Sequence, residues 1–422
     1  MGRARYEESA VEKVRRVAYI VVMFPCYSET FVLREIRELM RRGVEVTVLS
    51  LRACSEKVIE ADARDVVPHT LYSRYLFSFA LLRAHLHYLF HRTGAYFGII
   101  ATLASRLFRN PWQLIKNTGV FLKSVYFAHA LHVRRIQHVH AHFANYPATS
   151  AYIISRLTGL PFTMTAHAHD IFQNQILLST KLKLAKKLFA ISSYNKEFIM
   201  KKCPGVPRET IEVLHSGLDL SRVNFPRHDR IEQGMILSLG RLVAIKGFDT
   251  LVRAIAILRD KVAPLRCVIV GEGPRRKELD RLISRLGLGD IVELPGKITA
   301  QEVVRLMERC EVFALPSRQA DKKSGVMDGI PGSLMEAMAL GIPVISCPVS
   351  GIPELVANEE TGILVPSGDE RSLADAIARL IDDEELKRRL GHGGRERVAS
   401  EFTIVRTVDR LMEVFGSHGE GG

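Results

Sequence analysis

The sequence predicts an α/β protein with two doubly wound parallel-sheet domains that face each other across a cleft. Short apolar runs of strand length alternate with segments of helical periodicity through both halves of the chain, which is typical of parallel sheets covered by helices. A polar stretch around Arg222–Gly234 interrupts this alternation. The length of 422 residues suits two domains of ordinary size. We place these domains at residues 1–225 and 226–401, followed by a terminal segment, residues 402–422.

The first half begins with a strand–helix–strand unit. Val17–Phe24 and Val44–Leu51 are continuous apolar runs, and Glu29–Arg42 between them repeats apolar residues at helical spacing. These lengths predict a βαβ unit with a parallel strand pair. Further elements are predicted as strands at His138–Phe143, Phe162–Thr165, Lys187–Ile191 and Ile211–Leu214, and as helices at Ala148–Leu157, Lys181–Lys187 and Asn195–Lys202.

The second half repeats the alternation. Its strands are predicted at Met235–Leu239, Cys267–Val270, Ile291–Leu294, Val312–Leu315 and Val344–Ser346. Its helices are predicted at Phe248–Arg259, Arg275–Leu286, Ala300–Glu308 and Ser333–Leu340. Ligands of such folds bind at the carboxyl ends of the strands, so we expect the functional site in the cleft between the domains.

The overall composition excludes several classes of protein. With 47% hydrophobic and 25% charged residues, the chain is not a wholly disordered one. Its six cysteines include no C-x-x-C pair, which argues against a disulfide scaffold or a zinc ribbon and fits a reducing cytosol. Met1–Arg16 is polar, so we expect no signal peptide and a cytoplasmic location.

The positive charge is concentrated in one part of the first half. Between Val66 and His169 there are ten Lys or Arg and no Asp or Glu, whereas the whole chain has a net charge of +13. The same stretch holds eleven of the fifteen histidines and the only tryptophan, Trp112. Leu71–Leu131 within it is predicted to be helical. Helix breaks are predicted near Gly94, Pro111 and Gly119.

A cationic surface rich in aromatic side chains indicates an anionic partner. Phospholipid headgroups, a lipid diphosphate and nucleic acid all carry suitable charge, but no nucleic-acid recognition motif is present, so nucleic acid is not expected. The uncharged run Thr93–Ser105 is too short for a membrane span, which needs about 20 residues. Two interpretations of this segment remain open: its helices lie on an anionic membrane surface, or they are ordinary core helices. The aromatic residues behind the membrane hypothesis are Phe77, Phe79, Phe90, Phe97, Trp112 and Phe121.

Two segments of the second half could bind a phosphorylated ligand. Arg241 and Lys246 share the loop after the strand Met235–Leu239, where two cations can neutralise a diphosphate. Pro331 and Gly332 are placed to open a helix whose first N–H groups, at Gly332, Ser333 and Leu334, could hold an oxygen atom. Asp328 precedes this helix and Glu336 lies within it, so the two acids could contact different parts of one elongated ligand. The structural alternatives are that Arg241 and Lys246 are cations of a solvated loop, and that Asp328 is a loop acid and Glu336 a buried cap partner.

The first half also contains chemistry-bearing residues at strand ends. The strand Phe162–Thr165 is followed by His167, His169 and Asp170. Two histidines and an acid at the carboxyl end of a strand favour a functional site over a core histidine whose hydrogen bonds are satisfied internally. His138, His140 and His142 alternate along a strand and face one side, but no nearby carboxylate or cysteine completes a metal site, so no metal is expected. Ser28, Glu29 and Thr30 place a hydroxyl and an acid at the first helix start, where a plain N-cap is the alternative.

Taken together, these segments resemble the retaining glycosyltransferases of family 4, which have the GT-B fold of two Rossmann-like domains. In the second half the resemblance is carried by Leu239-Gly240-Arg241-Leu242, Lys246-Gly247-Phe248, Val270-Gly271-Glu272-Gly273-Pro274, Leu315-Pro316-Ser317, Asp328-Gly329-Ile330-Pro331 and Leu334-Met335-Glu336-Ala337-Met338. In the first half it is carried by Phe24-Pro25, Ser28-Glu29-Thr30-Phe31, His140-Ala141-His142-Phe143-Ala144 and Thr165-Ala166-His167-Ala168-His169-Asp170. The latter segments look like the exopolysaccharide, colanic-acid-type branch.

The resemblance implies roles for these residues. Arg241 and Lys246 would bind the nucleotide diphosphate and stabilise the leaving group. Glu336 would be the second acid of the family's E-x7-E motif and bond the ribose, while Asp328 stands where the first acid, usually Glu, faces the donor sugar. His167 would lie at the sugar-transfer centre, and the segment 402–422 would return as a helix to the first domain. Ser28, Glu29, Thr30, His169 and Asp170 would lie on the acceptor side.

The expected activity is transfer of a hexose from a nucleotide-diphosphate sugar to a glycan or polyprenyl-diphosphate-linked acceptor, without a metal or cofactor. GDP-mannose, UDP-glucose and UDP-galactose are the candidate donors. Residues 71–135 would carry the protein to the inner face of the plasma membrane. Two alternatives remain open: a GT-B isomerase of the nucleotide-sugar 2-epimerase type, and a non-catalytic membrane-associated scaffold.

Overall fold

The computed structural model describes residues 14–26, 29–53, 61–73, 78–173, 175–222, 230–319 and 327–417. It contains a seven-stranded sheet in the first half and a six-stranded sheet in the second. Every strand pair in both sheets is parallel, and helices connect the strands. The predicted pair of Rossmann-like sheets is therefore confirmed.

The first sheet has the order β3-β2-β1-β4-β5-β6-β7. Its strands are β1 (Arg16–Met23), β2 (Glu45–Arg52), β3 (Thr70–Tyr72), β4 (His138–His142), β5 (Phe162–Ala166), β6 (Lys187–Ala190) and β7 (Ile211–Val213). The edge strand β3 was not predicted, because three residues are too few to show a periodic pattern. Helices cover both faces, so β4 and β5 are buried along their whole length and β2 is buried everywhere except at its two end residues.

The first half contains eight α-helices among the described residues. They are α1 (Thr30–Arg41), α2 (Phe79–His91), α3 (Thr93–Leu107), α4 (Pro111–Val133), α5 (Tyr146–Thr158), α6 (His169–Phe172), α7 (Leu178–Leu182) and α8 (Ser193–Lys202). The basic segment forms three of them, α2, α3 and α4. The breaks predicted near Gly94 and Pro111 occur, but the one at Gly119 was wrong, because α4 continues through it for 23 residues. A helix interior tolerates a single glycine at a cost of about 1 kcal/mol. None of the helices in the described part of the chain is long and apolar enough to cross a membrane.

The second sheet has the order β10-β9-β8-β11-β12-β13. Its strands are β8 (Met235–Leu239), β9 (Arg266–Val270), β10 (Val292–Gly296), β11 (Val312–Leu315), β12 (Val344–Ser346) and β13 (Ile363–Leu364). Its helices are α9 (Phe248–Leu258), α10 (Arg276–Arg285), α11 (Ala300–Arg309), α12 (Gly332–Ala339), α13 (Ile352–Leu355), α14 (Glu370–Asp382), α15 (Glu384–Glu401) and α16 (Ile404–Gly416). The two-residue edge strand β13 was missed for the same reason as β3.

The last helix, α16, packs against the first sheet rather than the second. Its apolar side chains Val408, Leu411 and Phe415 are buried in one cluster with residues of β1 and α1. A short bridge between Leu218 and Thr403 holds the chain where it crosses back. The proposed boundary at residues 225/226 lies outside the described residues and stays a prediction.

Candidate functional site

Lys246 lies on the loop that follows β8, at the carboxyl end of the second sheet. A short 3-10 turn, Ala244–Lys246, ends at Gly247, which has a left-handed φ of +67°. A Cβ at Gly247 would come within 2.0 Å of the Pro316 carbonyl oxygen, so only glycine fits there. Arg318 Nε donates to the carbonyl oxygen of Ala244 at 2.9 Å and braces the turn.

The Lys246 ammonium bonds the carboxylate of Asp328 across this end of the sheet. Lys246 Nζ lies 2.6 Å from Asp328 Oδ2, and Ser317 Oγ donates to the same oxygen at 3.1 Å. The side chains of Lys246 and Asp328 are only 11% and 15% exposed, so little water screens the pair. Arg241, on the same loop as Lys246, is exposed. The structure thus joins Lys246 and Asp328 directly, with Ser317 as a partner that the sequence interpretation had not assigned.

The helix α12 begins beside the same loop. Ser333 Oγ donates to the carbonyl oxygen of Leu239 at 3.0 Å, which fixes the N-terminus of α12 against the end of β8. Gly332 is exposed, whereas the Leu334 side chain is fully buried in the core of the second half. The backbone N–H of Leu334 donates to the carbonyl oxygen of Pro331 at 3.1 Å, so Leu334 offers a ligand neither its side chain nor a free N–H. The first N–H groups of a helix have no intrahelical partner and carry partial positive charge.

Glu336, one turn further along α12, forms an ion pair with the first half of the chain. Arg34 Nη2 on α1 donates to Glu336 Oε1 at 2.6 Å, and the two side chains are 25% and 28% exposed. The sequence interpretation missed Arg34, because a single arginine on an amphipathic helix carries no local signal. The contact shows that α1 and α12 face each other across the cleft.

His167 follows β5 and is enclosed by aromatic rings. Its ring centroid lies 4.6 Å from that of Phe31 on α1 and 4.7 Å from that of Phe143. Burial, and secondarily the neighbouring His142, lower the pKa of His167 well below its usual value, which keeps the imidazole neutral. Phe143 has a φ of +77°, a conformation that costs a bulky residue about 1–3 kcal/mol and that is common at functional sites.

A buried carboxylate, Glu35 of α1, accompanies the histidines of β4. His142 Nε2 lies 3.1 Å from Glu35 Oε1, and Tyr19 Oη donates to the same oxygen at 2.6 Å. The prediction that no acid accompanies these histidines was wrong, because α1 brings Glu35 to them from a distant part of the sequence. Glu35 lies among the apolar positions of an amphipathic helix, and an acid on that face was the available signal.

Glu35, His140 and His142 lie close enough together to share a metal ion, with ligand atoms within 4.8 Å of one another. Both ring nitrogens of His140 already bond threonine hydroxyls, at 2.8 Å to Thr163 and 3.1 Å to Thr165. The ring nitrogens of His140 and His142 therefore all have hydrogen-bond partners within the protein.

The remaining candidates of the first half divide between the surface and the interior. His169 is exposed at the start of α6. Asp170 is buried and accepts hydrogen bonds from the backbone N–H groups of Ala144, at 2.6 Å, and His167, at 3.1 Å. Burial raises the pKa of Asp170 even against these hydrogen bonds. The carboxylate of Asp170 thus fixes the loop that presents His167.

Glu29 and Thr30 lie at the start of α1, where Glu29 is the N-cap residue without a side-chain capping bond. Ser28 lies outside the described residues. The three residues stay candidates for the acceptor side.

The two halves of the site meet at Gly329, next to Asp328. A Cβ on Gly329 would lie 2.8 Å from Ile191 Cδ1 and 3.7 Å from the Cβ of Ala168, the neighbour of His167. Nearby, Glu354 of α13 accepts hydrogen bonds from the backbone N–H of Ser193 at 2.9 Å and lies 3.1 Å from His215 Nε2. The structure therefore brings the loop of Asp328, which bonds Lys246, up against the loop of His167.

The resulting cleft has two chemically different walls. The wall from the second half offers two cations, a helix N-terminus and two carboxylates, which suits a ligand with an anionic centre and hydroxyl groups. The wall from the first half offers a neutral imidazole between aromatic rings. Such a site can stabilise a developing diphosphate while it binds a polyhydroxylated substrate.

Both halves of the chain match known protein families. Residues 224–397 match the family model described as glycosyl transferases group 1, and residues 28–222 match the model of glycosyltransferase family 4. The two matches divide the chain near the polar stretch that follows the first sheet.

Similar proteins are found over nearly the whole chain. It is 30% identical to the putative colanic acid biosynthesis glycosyltransferase WcaL of Escherichia coli K12, over 94% of this chain and 99% of that protein. It is 29% identical to the amylovoran biosynthesis glycosyltransferase AmsK of Erwinia amylovora, over 94% of this chain and 98% of that protein. The fold is similar to that of Anabaena Alr3699/HepE in complex with UDP and glucose, with a TM-score of 0.70, 17% identity, and coverage of 96% of this chain and 100% of the other.

Proposed function

This chain belongs to glycosyltransferase family 4 and is similar to exopolysaccharide glycosyltransferases, and we propose that it moves a hexose from a nucleotide-diphosphate sugar to a glycan or a polyprenyl-diphosphate-linked acceptor. The observation that carries this proposal is the Lys246–Asp328 pair at the end of β8, with Glu336 on the adjoining helix and the loop of His167 against it. UDP-glucose is the donor to be tried first, since HepE was solved with UDP and glucose. UDP-galactose and GDP-mannose are tried next.

The diphosphate leaving group would be stabilised by the second half. Breaking the bond between the anomeric carbon and the phosphate oxygen puts negative charge on the diphosphate. Lys246, Arg241 and the N-terminus of α12 are the groups positioned to stabilise that charge, and a side chain as little exposed as Lys246 acts in a poorly hydrated environment. The donor would then be bound without a divalent cation. Turnover in the presence of EDTA tests that point.

The two carboxylates would divide the rest of the donor between them. Both hydrogen bonds to Asp328 fall on Oδ2, and we assign Oδ1 to the donor sugar, where positive charge develops on the ring. Glu336 would bind the ribose hydroxyls, exchanging its bond to Arg34 for bonds to the nucleoside. Asp328 thus has two tasks, because it also holds the Lys246 ammonium at the diphosphate.

Retention of the anomeric configuration is part of the proposal, and membership of the family supports it. The acceptor hydroxyl would attack from the face that the diphosphate leaves, with His167 on that side of the cleft. The anomeric configuration of the product, followed by proton NMR from the first minutes of the reaction, tests this. An inverted product would overturn the retaining mechanism while leaving the transfer activity intact.

A panel of nucleotide sugars tests the activity itself. Each donor is incubated with the enzyme with and without a membrane extract that contains lipid-linked glycans, and the release of nucleoside diphosphate and the sugar products are measured. We expect one donor to be consumed and its hexose to appear on a larger acceptor. Conversion of the donor into its epimer without any acceptor would support the 2-epimerase-type alternative. Absence of nucleotide-sugar binding would support the non-catalytic scaffold.

The basic helical segment would bring the enzyme to an anionic membrane. One face of α2 exposes Phe79, Leu82, Leu86 and Phe90, with Phe79 80% and Phe90 73% exposed. Phe97, Phe108, Trp112 and Ile115 are also more than half exposed. Phe121, by contrast, is buried in the core and takes no part, and Phe77 lies outside the described residues.

The charge of this segment indicates that its exposed apolar side chains meet an anionic lipid surface. No acidic residue occurs between Val66 and His169, so no side chain of this segment repels anionic phospholipid. Each cation near an anionic bilayer contributes about 1 kcal/mol, screened within about 8 Å at physiological salt. We therefore place the enzyme on the cytosolic face of the membrane, where a polyprenyl-linked acceptor would be displayed.

Vesicle flotation tests the membrane hypothesis. We expect flotation with vesicles of phosphatidylglycerol, less with phosphatidylcholine, and a decrease as salt rises. The double variant Phe79→Ser/Phe90→Ser should bind at least about 10-fold more weakly, since inserted apolar side chains contribute about 1.5–3 kcal/mol each. Val304→Ser, which changes an exposed apolar residue on α11, is the matched control. No flotation of the wild type at low salt would make these helices structural only.

A further inference from the structure

The helix α1 supplies three side chains to the site and to the interior behind it within five positions. Phe31 packs on the ring of His167, Arg34 pairs with Glu336, and Glu35 bonds His142. The first two contacts concern the substrate-facing surface. The third lies in the interior behind His167, and nothing in the proposed reaction uses it.

Behind His167, three side chains form a continuous chain of hydrogen bonds. Glu35 Oε1 lies 3.1 Å from His142 Nε2, and His142 Nδ1 lies 3.2 Å from His167 Nε2. The exposed fractions of Glu35, His142 and His167 are 6%, 1% and 8%, so water does not compete for these bonds. Tyr19 Oη donates to the same Glu35 oxygen, which makes that oxygen an acceptor on two sides.

The donor and acceptor of each of these hydrogen bonds follow from the chemistry of Glu35. A carboxylate only accepts hydrogen bonds, so His142 must donate from Nε2. In the neutral form of His142 the ring carries one N–H, so its Nδ1 is an acceptor and His167 donates from Nε2. The Nδ1 atom of His167 is consequently left as the acceptor of that ring.

We propose that Glu35 and His142 are positioning residues which fix the tautomer and orientation of His167, so that its Nδ1 accepts a hydrogen bond from a sugar hydroxyl of the substrate. The proposal rests on the proposed function, because it assigns His167 to the transfer centre. Burial lowers the pKa of His167, which agrees with a ring that remains neutral and keeps one acceptor nitrogen. The rings of Phe31 and Phe143 restrict rotation of the imidazole about its own axis.

The tautomer is measured first, on the wild-type enzyme without substrate. In long-range proton–nitrogen NMR spectra of protein labelled with nitrogen-15 in histidine, an unprotonated ring nitrogen resonates far downfield of a protonated one. The His167 signals are assigned by their loss in His167→Ala. We expect Nε2 protonated and Nδ1 unprotonated. The opposite tautomer would overturn the proposal, whatever the activity of the enzyme.

Variants of His142 then separate positioning from packing. His142→Phe keeps a ring but removes both hydrogen bonds, and we expect kcat to fall about 10- to 100-fold with the donor KM within about 3-fold of the wild type. His142→Gln keeps one donor and one acceptor and should restore kcat to within about 3-fold. His138→Phe is the matched control, since His138 lies on the same strand, is equally buried and bonds Thr163 rather than His167.

The results distinguish this proposal from the proposed function. Equal loss of kcat in His142→Gln and His142→Phe, or the same loss in His138→Phe, would show that the region matters for packing alone and would overturn the proposal. A wild-type enzyme that consumes no nucleotide sugar would instead contradict the proposed function. The tautomer of His167 would still decide whether the hydrogen-bond chain runs in the stated direction.

Discussion

Removal of the Lys246 ammonium tests the donor site through a single side chain. In Lys246→Ala, the diphosphate loses a cation that is 11% exposed and held in place by Asp328. Loss of one preorganised donor to a developing negative charge costs about 2.7–4 kcal/mol, or about 10²- to 10³-fold in kcat. The substitution also leaves the partly buried carboxylate of Asp328 without its counterion. The unpaired charge should lower the free energy of unfolding by about 1–2 kcal/mol.

The two effects are separated by a second substitution. Lys246→Ala/Asp328→Asn removes both charges, so the free energy of unfolding should return towards that of the wild type while kcat stays low. Lys261→Ala, beyond the far end of α9, is the control for loss of a lysine. Nucleoside diphosphate release gives kcat, and denaturant unfolding gives stability. A folded Lys246→Ala enzyme with kcat within about 3-fold of the wild type would refute the assigned diphosphate site.

The remaining predictions concern the carboxylates of the cleft. Glu336→Gln should mainly weaken donor binding, because Glu336 is assigned to the ribose. Asp328→Asn should instead lower kcat more than donor affinity. Calorimetric titration measures the affinity and turnover measures kcat, and the reverse pattern would show that the two roles are exchanged. Glu354→Gln should lower the melting temperature by about 2–4 °C at neutral pH. Burial raises the pKa of Glu354, but hydrogen bonds from His215 and from the N–H groups of Ser193 and Tyr194 outweigh it and lower that pKa. A lowered folded-state pKa stabilises the protein above the unfolded-state pKa, so the difference between Glu354→Gln and the wild type should vanish as the pH falls through the folded-state pKa, and a difference independent of pH would contradict this.

The fold could be predicted from the sequence because its strands are buried on both faces. Val17–Phe24 and Val312–Leu315 read as continuous apolar runs for that reason, and the helices between them keep one apolar face. The edge strands β3 and β13 could not be found, since two or three residues have no period. Gly119 misled the prediction because a glycine within a packed helix costs less than the rest of the helix gains.

The site was predictable only where its residues are neighbours in sequence. Lys246 and Asp328 were both singled out, yet their direct bond depends on the meeting of the loops after β8 and β11. Arg34 and Glu35 were missed, because their partners Glu336 and His142 lie far away in the chain. Such contacts are set by the tertiary packing of α1, which no local pattern encodes.

The structure of the enzyme with its nucleoside diphosphate bound tests the donor site most directly. We predict that the diphosphate contacts Lys246 Nζ and the N-terminus of α12, and that the ribose hydroxyls bond Glu336 in place of Arg34. The sugar-binding space should then lie between Asp328 and His167. A nucleotide bound elsewhere, or one that makes no phosphate contact with Lys246 and leaves the Arg34–Glu336 pair intact, would contradict the assignment of this cleft as the site of transfer.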